Sequence, residues 1–494
     1  MSTVLGIDLG TQNLKVVFYD YANRETVAVE HAPLDLYQGD AGQAEQQAHW
    51  WINALRESLL RVSGDLRASV QAIGVSGQQH GFVPIDAAGE VLAPVKLWCD
   101  TSTGAECEAI TDAFGGVEAC IAQVGNPILP GYTASKVRWF RDAHPGPYQR
   151  MTGILLPHDY VNFYLTGERC MEAGDASGTG FLSIRERNWS HDMLKAIDPD
   201  RELSECLPEV RVANEPVGTL RREAAEALGL PVNTPVSIGG GDNMMAAVGT
   251  GNVRPGVVTM SLGTSGTVYA YSDRAIVDPR GNIAAFCSST GGWLPLLCTM
   301  NCTVSTELMR GLLNADIASF EAQISAAGRG AGGLVTVPFF NGERTPNLPQ
   351  AKACIIGLDT RNTRPENLLR SAVEGATFAL RFGIDELRQL GIEAGQIVLT
   401  GGGVNSPTWR QVVADICNAP VVVLQQEEGA AFGAALQALA LLEGPGCDLE
   451  ALVGRHLEAD DARCAEPRPS AVSFYADTYE QYRRAVNQVA EFYA

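Results

Sequence analysis

Lysine is scarce, with five among 494 residues. The 36 basic residues face 57 acidic ones, a formal charge of −21 at pH 7. Such a chain lacks the clustered cations that neutralise a phosphate backbone, which excludes nucleic acid as a partner. Long hydrophobic runs are also missing. No stretch reaches the roughly 18 apolar residues of a membrane span, so no membrane partner is expected. The Ala-rich run from Gly429 to Leu442 is interrupted by Gln437 and reads as a buried helix. The first residues carry no basic segment ahead of an apolar one, which argues against a signal peptide. Twelve cysteines occur, but no CxxC pair. Cys298 and Cys302 have no matching pair of ligands downstream, so no zinc site is expected. Scattered buried thiols fit a reducing cytoplasm. No GxxxxGK[ST] motif is present, which excludes a Walker-type nucleotidase. Gly328, Gly330 and Gly333 match GxGxxG, but after a helix and before a strand, the reverse of a dinucleotide fingerprint.

What is present is an ordinary globular composition, 46% hydrophobic, long enough for two to four domains. Strands alternating with helices predict an α/β architecture. A hairpin is expected over Val4 to Asp20, turning at Gly10-Thr11-Gln12-Asn13. A helix follows over Trp50 to Val62, then a strand over Val70 to Val75 that runs into Ser76-Gly77-Gln78-Gln79-His80-Gly81. A second hairpin turns at Asp86 to Gly89. The stretch from Ser102 to about Glu209 reads as mostly helical. Val236 to Ile238 is a strand ending in Gly239-Gly240-Gly241-Asp242-Asn243. Val257 to Ser272 forms another hairpin, and Leu334 to Phe340 a strand. Thr363 to Leu390 reads as a long helix opened by a capping box of Thr363 and Glu366. Ile397 to Leu399 leads into Gly401-Gly402-Gly403, and Ser406-Pro407 starts a helix. Asp477 to Tyr493 has an amphipathic pattern of Tyr479, Tyr482, Val486, Val489 and Phe492.

One repeat organises the chain. Ile7-Asp8-Leu9-Gly10-Thr11 recurs, 253 positions later, as Met260-Ser261-Leu262-Gly263-Thr264. Self-similarity at half-length predicts two related domains facing each other, divided as 1–250 and 251–494.

Both repeats place a Gly-Thr turn between strands. Concave turns of this kind bind anions through backbone N–H groups, without cationic side chains. Two such turns suit a polyphosphate, and Asp8, present in the first only, suits Mg²⁺ held through water. Two ordinary hairpins with a surface Asp are the alternative. Asp242 stands where a strand gives way to a helix, the ligand edge of an α/β sheet. It is either a helix cap or the acceptor of a substrate hydroxyl proton in phosphoryl transfer. Gln79 and His80 suit sugar hydroxyls, although a lone His is often structural. Gly401, Gly402 and Gly403, with Asn405, fit adenine or ribose lying against backbone, or simply a tight turn.

Six segments, GIDLGTQNLK (6–15), SGQQHG (76–81), GGGDN (239–243), SLGTSG (261–266), NGERTP (341–346) and GGGVNSPTWRQVVADI (401–416), occur in the order of the FGGY carbohydrate kinases, which the chain resembles over most of its length. The resemblance implies two ribonuclease-H-like domains around a central cleft. It also implies a cytoplasmic homodimer using ATP and Mg²⁺ on a small sugar. The activity implied is ATP-dependent phosphorylation of a pentulose, D-xylulose first. Ribulose, fuculose, rhamnulose or gluconate are the alternatives, with a nucleotide-dependent sugar sensor on the same fold behind them. By the same resemblance Asp242 and Asp8 are catalytic, Asp8 through the metal. Gln79, His80, Trp98, Asp100, Asp242 and Asn243 contact sugar. Gly10, Thr11, Gln12, Asn13, Lys15, Gly263, Thr264, Gly401, Gly402, Gly403 and Asn405 contact ATP. Two departures bear on the sugar. Gln79 stands where many relatives carry Met, and Trp98-Cys99-Asp100-Thr101-Ser102 stands where many carry Trp-Asn-Asp-Gly-Arg.

Overall fold

The computed structural model describes residues 2–211, 215–426 and 428–493. The chain forms two compact units. The first comprises Met1–Arg254, Ser272–Leu294 and Glu428–Leu457; the second comprises Pro255–Tyr271, Pro295–Glu427 and Glu458–Ala494. The segments 272–294 and 428–457 thus pack with the first unit, although they lie late in the sequence.

The first unit is built on a seven-stranded sheet. Thr3–Leu9 lies centrally, antiparallel to Asn13–Asp20 and parallel to Val70–Gly77. Glu25–Pro33 extends the antiparallel side. Pro235–Ser237 and Gly240–Gly241 both run parallel to Val70–Gly77. The central strands read as near-continuous apolar runs because both faces are covered. On one face, Trp51, Leu55 and Leu59 of the helix Ala48–Arg61 join a core with Ile7, Leu9 and Val75. The helix Gly429–Glu443 packs against the same strands and against the helix Asp242–Gly249. Two strand glycines set how close it comes. A Cβ on Gly6 or on Gly74 would lie 1.9 Å from the carbonyl oxygens of Ala431 and Ala434. Gln437, the break in the Ala-rich run, is fully buried, and its Oε1 accepts from the Gly239 N–H at 2.7 Å.

The second unit repeats the plan on a smaller sheet. Val257–Leu262 is antiparallel to Gly266–Ala270 and parallel to Gln396–Thr400, with Leu296–Thr299 and Val421–Val422 at the edges. Three antiparallel strands continued by parallel ones occur in the same order in both sheets. This is the mixed α/β fold expected, and it gives the five-residue repeat its meaning: each copy occupies the central strand and the turn that follows.

Three local expectations are corrected. The long helix runs over Pro365–Gln389 with Arg364 as its cap. Thr363 is not the capping residue, because Pro365 takes the first helical position and the Thr363 hydroxyl donates instead to the Asp359 carbonyl. The strand near 334–340 is only Val335–Val337. The final helix spans Pro469–Tyr493; Tyr479 and Tyr482 pack on Phe378 of their own unit, but Phe492 is 80% exposed. The Ser406 cap does form, its hydroxyl accepting from the Trp409 N–H, with Pro407 first in the helix. All twelve cysteines are free thiols. Among the described residues, no helix is long and apolar enough to cross a membrane.

Candidate active site

Sheet register assembles the site in the first unit. Asp8 pairs with Ser76, and Ser76 with Gly240; in the next row Leu9 pairs with Gly77, and Gly77 with Gly241. Three parallel strands therefore end side by side, and Asp8, Gln79 and Asp242 lie at or just beyond that edge. The Ser76 hydroxyl donates to Asp8 Oδ1 at 2.8 Å. Burial raises the Asp8 carboxyl, against the Ser76 bond and the Lys15 charge. Lys15, opposite Asp8 in the hairpin, forms an ion pair with Glu428.

Asp242 is the first residue of its helix, and Gly241 is the cap. The capping alternative for Asp242 therefore falls away. Its Oδ1 accepts from the backbone and side-chain amides of Asn243, at 2.7 and 3.0 Å. Burial first, and the charge of Asp8 second, raise the Asp242 carboxyl to about 7. It is thus poised to gain or lose a proton near neutrality. The Asn243 amide also donates to Gln79 Oε1 at 2.8 Å, joining the two motifs. His80 follows with φ +65, and its ring packs edge-on to Tyr132.

The turn at Gly10 to Asn13 is closed by the Gly10 N–H donating to the Asn13 carbonyl. The Thr11 hydroxyl donates to Gln78 Oε1 and accepts from Trp98 Nε1 at 2.9 Å. The Thr11 carbonyl accepts from Gln46 Nε2. Thr11 and Trp98 are therefore held to each other, while the Gln12 side chain is exposed. Asp100 lies deeper. It is fully buried and accepts from the Ala44 and Ser102 amides, the Ser102 hydroxyl and the Lys96 ammonium. Burial alone would raise its carboxyl, but these bonds outweigh it and hold it low. Ser102 thus helps to brace Asp100.

In the second unit the Gly263 and Thr264 carbonyls accept from the first amides of the helix Thr303–Leu312. Gly401 has φ +84, and a Cβ there would lie 2.7 Å from the Leu262 backbone, so the 401–405 turn sits tightly on the end of the repeat strand. Gly402 opens on free space, and Asn405 Oδ1 accepts from Arg463.

Sequence reasoning missed Ser76, Gln46 and Glu428, which hold Asp8, Thr11 and Lys15. It also missed a buried cluster in the first unit. His158 bonds Asp175 at 2.7 Å and contacts Asp159 at 3.0 Å. Burial opposes a charge on His158, but Asp159 and Asp175 outweigh it and raise the imidazole to about 9.

The FGGY carbohydrate-kinase N-terminal model matches residues 3–249, and the C-terminal model of the same family matches 258–442. The chain belongs to the FGGY family of carbohydrate kinases. It is 43% identical to a xylulose kinase of Haemophilus influenzae over 492 residues, 98% of this chain and 99% of that one. It is 36% identical to a xylulose kinase of Streptomyces coelicolor, covering 89% and 88%. Among solved structures, a xylulose kinase from Rhodospirillum rubrum superposes with a TM-score of 0.90 at 25% identity, covering 99% of both chains. FGGY membership accounts for the repeated fold and for a phosphotransferase reading of the carboxylate edge.

Proposed function

We propose that this FGGY kinase transfers the γ-phosphoryl group of ATP to the terminal hydroxyl of D-xylulose, giving D-xylulose 5-phosphate and ADP. The observation that carries the mechanism is Asp242, a carboxylate at the sheet's ligand edge with its proton affinity raised to about 7. The substrate reading is supported by the xylulose kinases to which the chain is similar over most of its length. Gln79 and Asn243, bonded to each other, offer an amide surface beside Asp242 for sugar hydroxyls, and His80 follows Gln79 directly in sequence.

Asp242 accepts the hydroxyl proton as the sugar oxygen bonds to phosphorus and the bond to the ADP oxygen breaks. Such a transfer draws its rate mainly from positioning and from stabilising phosphate charge. On this reading the turn at 10–13, with Lys15, is a phosphate contact of the first unit, and the turns at 263–264 and 401–405 are nucleotide contacts of the second. Burial raises the Asp8 carboxyl, and burial and the Asp8 charge raise that of Asp242; a hard divalent cation beside them would offset that negative charge. Mg²⁺ held by Asp8 through water would neutralise phosphate charge.

The decisive experiment is ADP release with MgATP against D-xylulose, L-xylulose, D- and L-ribulose, glycerol, gluconate and no sugar. Turnover confined to D-xylulose is the expected result. Preference for another polyol would move the substrate, and Asp242→Ala with undiminished phosphorylation would overturn the mechanism.

A further inference from the structure

A chain with so few lysines buries one of them completely without a hydrogen-bonded carboxylate partner. Lys136 is 0% exposed, and its ammonium donates to two backbone carbonyls, His80 O at 2.8 Å and Gly131 O at 2.7 Å. Burying an ammonium is costly unless its bonds return the loss. The bond that matters falls on His80, a non-glycine residue held at φ +65. Thr133, one turn earlier on the same helix, Thr133–Ala143, donates its hydroxyl to that same carbonyl at 3.1 Å. The His80 ring is equally confined. It lies 5.0 Å from the Tyr132 ring and 5.7 Å from Phe286, and a Cβ on Gly178 would come within 1.9 Å of it.

We infer that Lys136 and Thr133 are positioning residues for sugar recognition: they hold the His80 backbone in its left-handed conformation, so that the imidazole is presented to the sugar at one fixed angle, with Gly178 leaving the space the ring needs. The inference rests on the reading of His80 as a sugar contact. Burial lowers the Lys136 ammonium to about 7, which shows how weakly its surroundings compensate the charge. A residue serving only packing would be better apolar there.

Kinetic constants for both substrates separate the possibilities. Lys136→Met should raise the sugar KM about ten- to a hundredfold, with the KM for ATP unchanged. Thr133→Val, nearly isosteric, keeps the test alive if Lys136→Met does not fold, and should act in the same direction, more weakly. Gly178→Ala attacks the ring directly and should reproduce the sugar defect. NMR of ring-labelled histidine, with the His80 signal assigned through His80→Gln, should show it shifted in all three. Equal losses for sugar and ATP, or an unmoved His80 signal, would overturn the inference. If His80→Ala itself leaves the sugar KM intact, the sugar-contact reading fails instead. If His80→Ala raises it while the other three do not, only the positioning role fails.

Discussion

The two repeat hairpins share a backbone plan and differ in the side chains they bring to the sheet edge. In the first, Asp8 stands opposite Lys15 and takes a hydrogen bond from Ser76 on the parallel strand. In the second, the matching position is Ser261, opposite Thr267 and beside Thr400. One copy of the motif therefore brings charge to the sheet edge, and the other brings only hydroxyls and backbone amides. The proposed phosphate role could apply to either copy, since backbone donors need no particular side chain. The side chain on the strand decides whether the edge can also carry a metal or influence a base. On the proposed function both turns meet phosphate, and the one position where Asp8 replaces a serine would set their roles apart.

The largest break in that comparison should come from Asp242, which has no counterpart in the second hairpin. Asp242→Asn keeps the size and the helix position but removes the proton acceptor. A fall in kcat of about 10²–10⁴ is expected, with sugar binding by calorimetry retained. The same change should stabilise the folded protein at pH 8. The native carboxyl titrates at about 7, well above an unfolded aspartate near 3.9. The native state thus holds an extra proton between these values, and Asp242 withdraws stability as pH rises through that window. A higher Tm for Asp242→Asn at pH 8 than at pH 4, each relative to the parent, checks the sign.

Next comes Asp8→Ser, which gives the first hairpin the side chain of the second. A loss of about 10²-fold in kcat is expected, with a raised requirement for Mg²⁺. The matching change in the other copy, Ser261→Ala, should alter kcat less than about threefold. Equal losses from the two would show that the hairpins are functionally symmetric. The pH profile sharpens the point. Asp242 must be deprotonated to act, so kcat/KM for the sugar should fall with one proton as pH drops below about 7. Removing the Asp8 charge lowers the Asp242 value, so in Asp8→Ser the acidic limb should move to lower pH.

Much of this plan was legible in the chain. β-Branched runs around Gly-Thr turns marked both hairpins, and the glycine triplets marked two strand ends. Those signals are local, set by backbone freedom and period-two burial. What stayed hidden depends on pairing between distant segments. Ser76 reaches Asp8 only because two strands 68 positions apart run parallel in register. Lys136 meets His80 across 56 positions, and nothing in a helical stretch marks that ammonium as buried. The segments 272–294 and 428–457 join the first unit by packing, which no boundary composition announces. Thr363 shows the opposite failure: a good local capping pattern was overruled by a proline that starts the helix two residues later.

The smallest effect should come from the strand that carries the first turn. Gly6 touches no ligand candidate, yet the Ala431 carbonyl leaves no space for a Cβ there. The contact lies between the sheet and the helix Gly429–Glu443, directly before which Glu428 pairs with Lys15. Gly6→Ala must push that helix outward, at a cost typical of overpacking, about 1–3 kcal/mol. If the helix only supports the fold, the loss appears in Tm and leaves the kinetic constants alone. If it also sets the Lys15–Glu428 pair, and through it the first turn, the KM for ATP rises by about two- to threefold while the sugar KM stays fixed. The second outcome is expected, because Lys15 sits on the same strand pair as Asp8 and Glu428 is its ion-pair partner among the described residues. Glu428→Gln, which removes the pair without touching the packing, should reproduce the KM change with little loss of Tm, and so separates the helix as support from the helix as part of the phosphate turn.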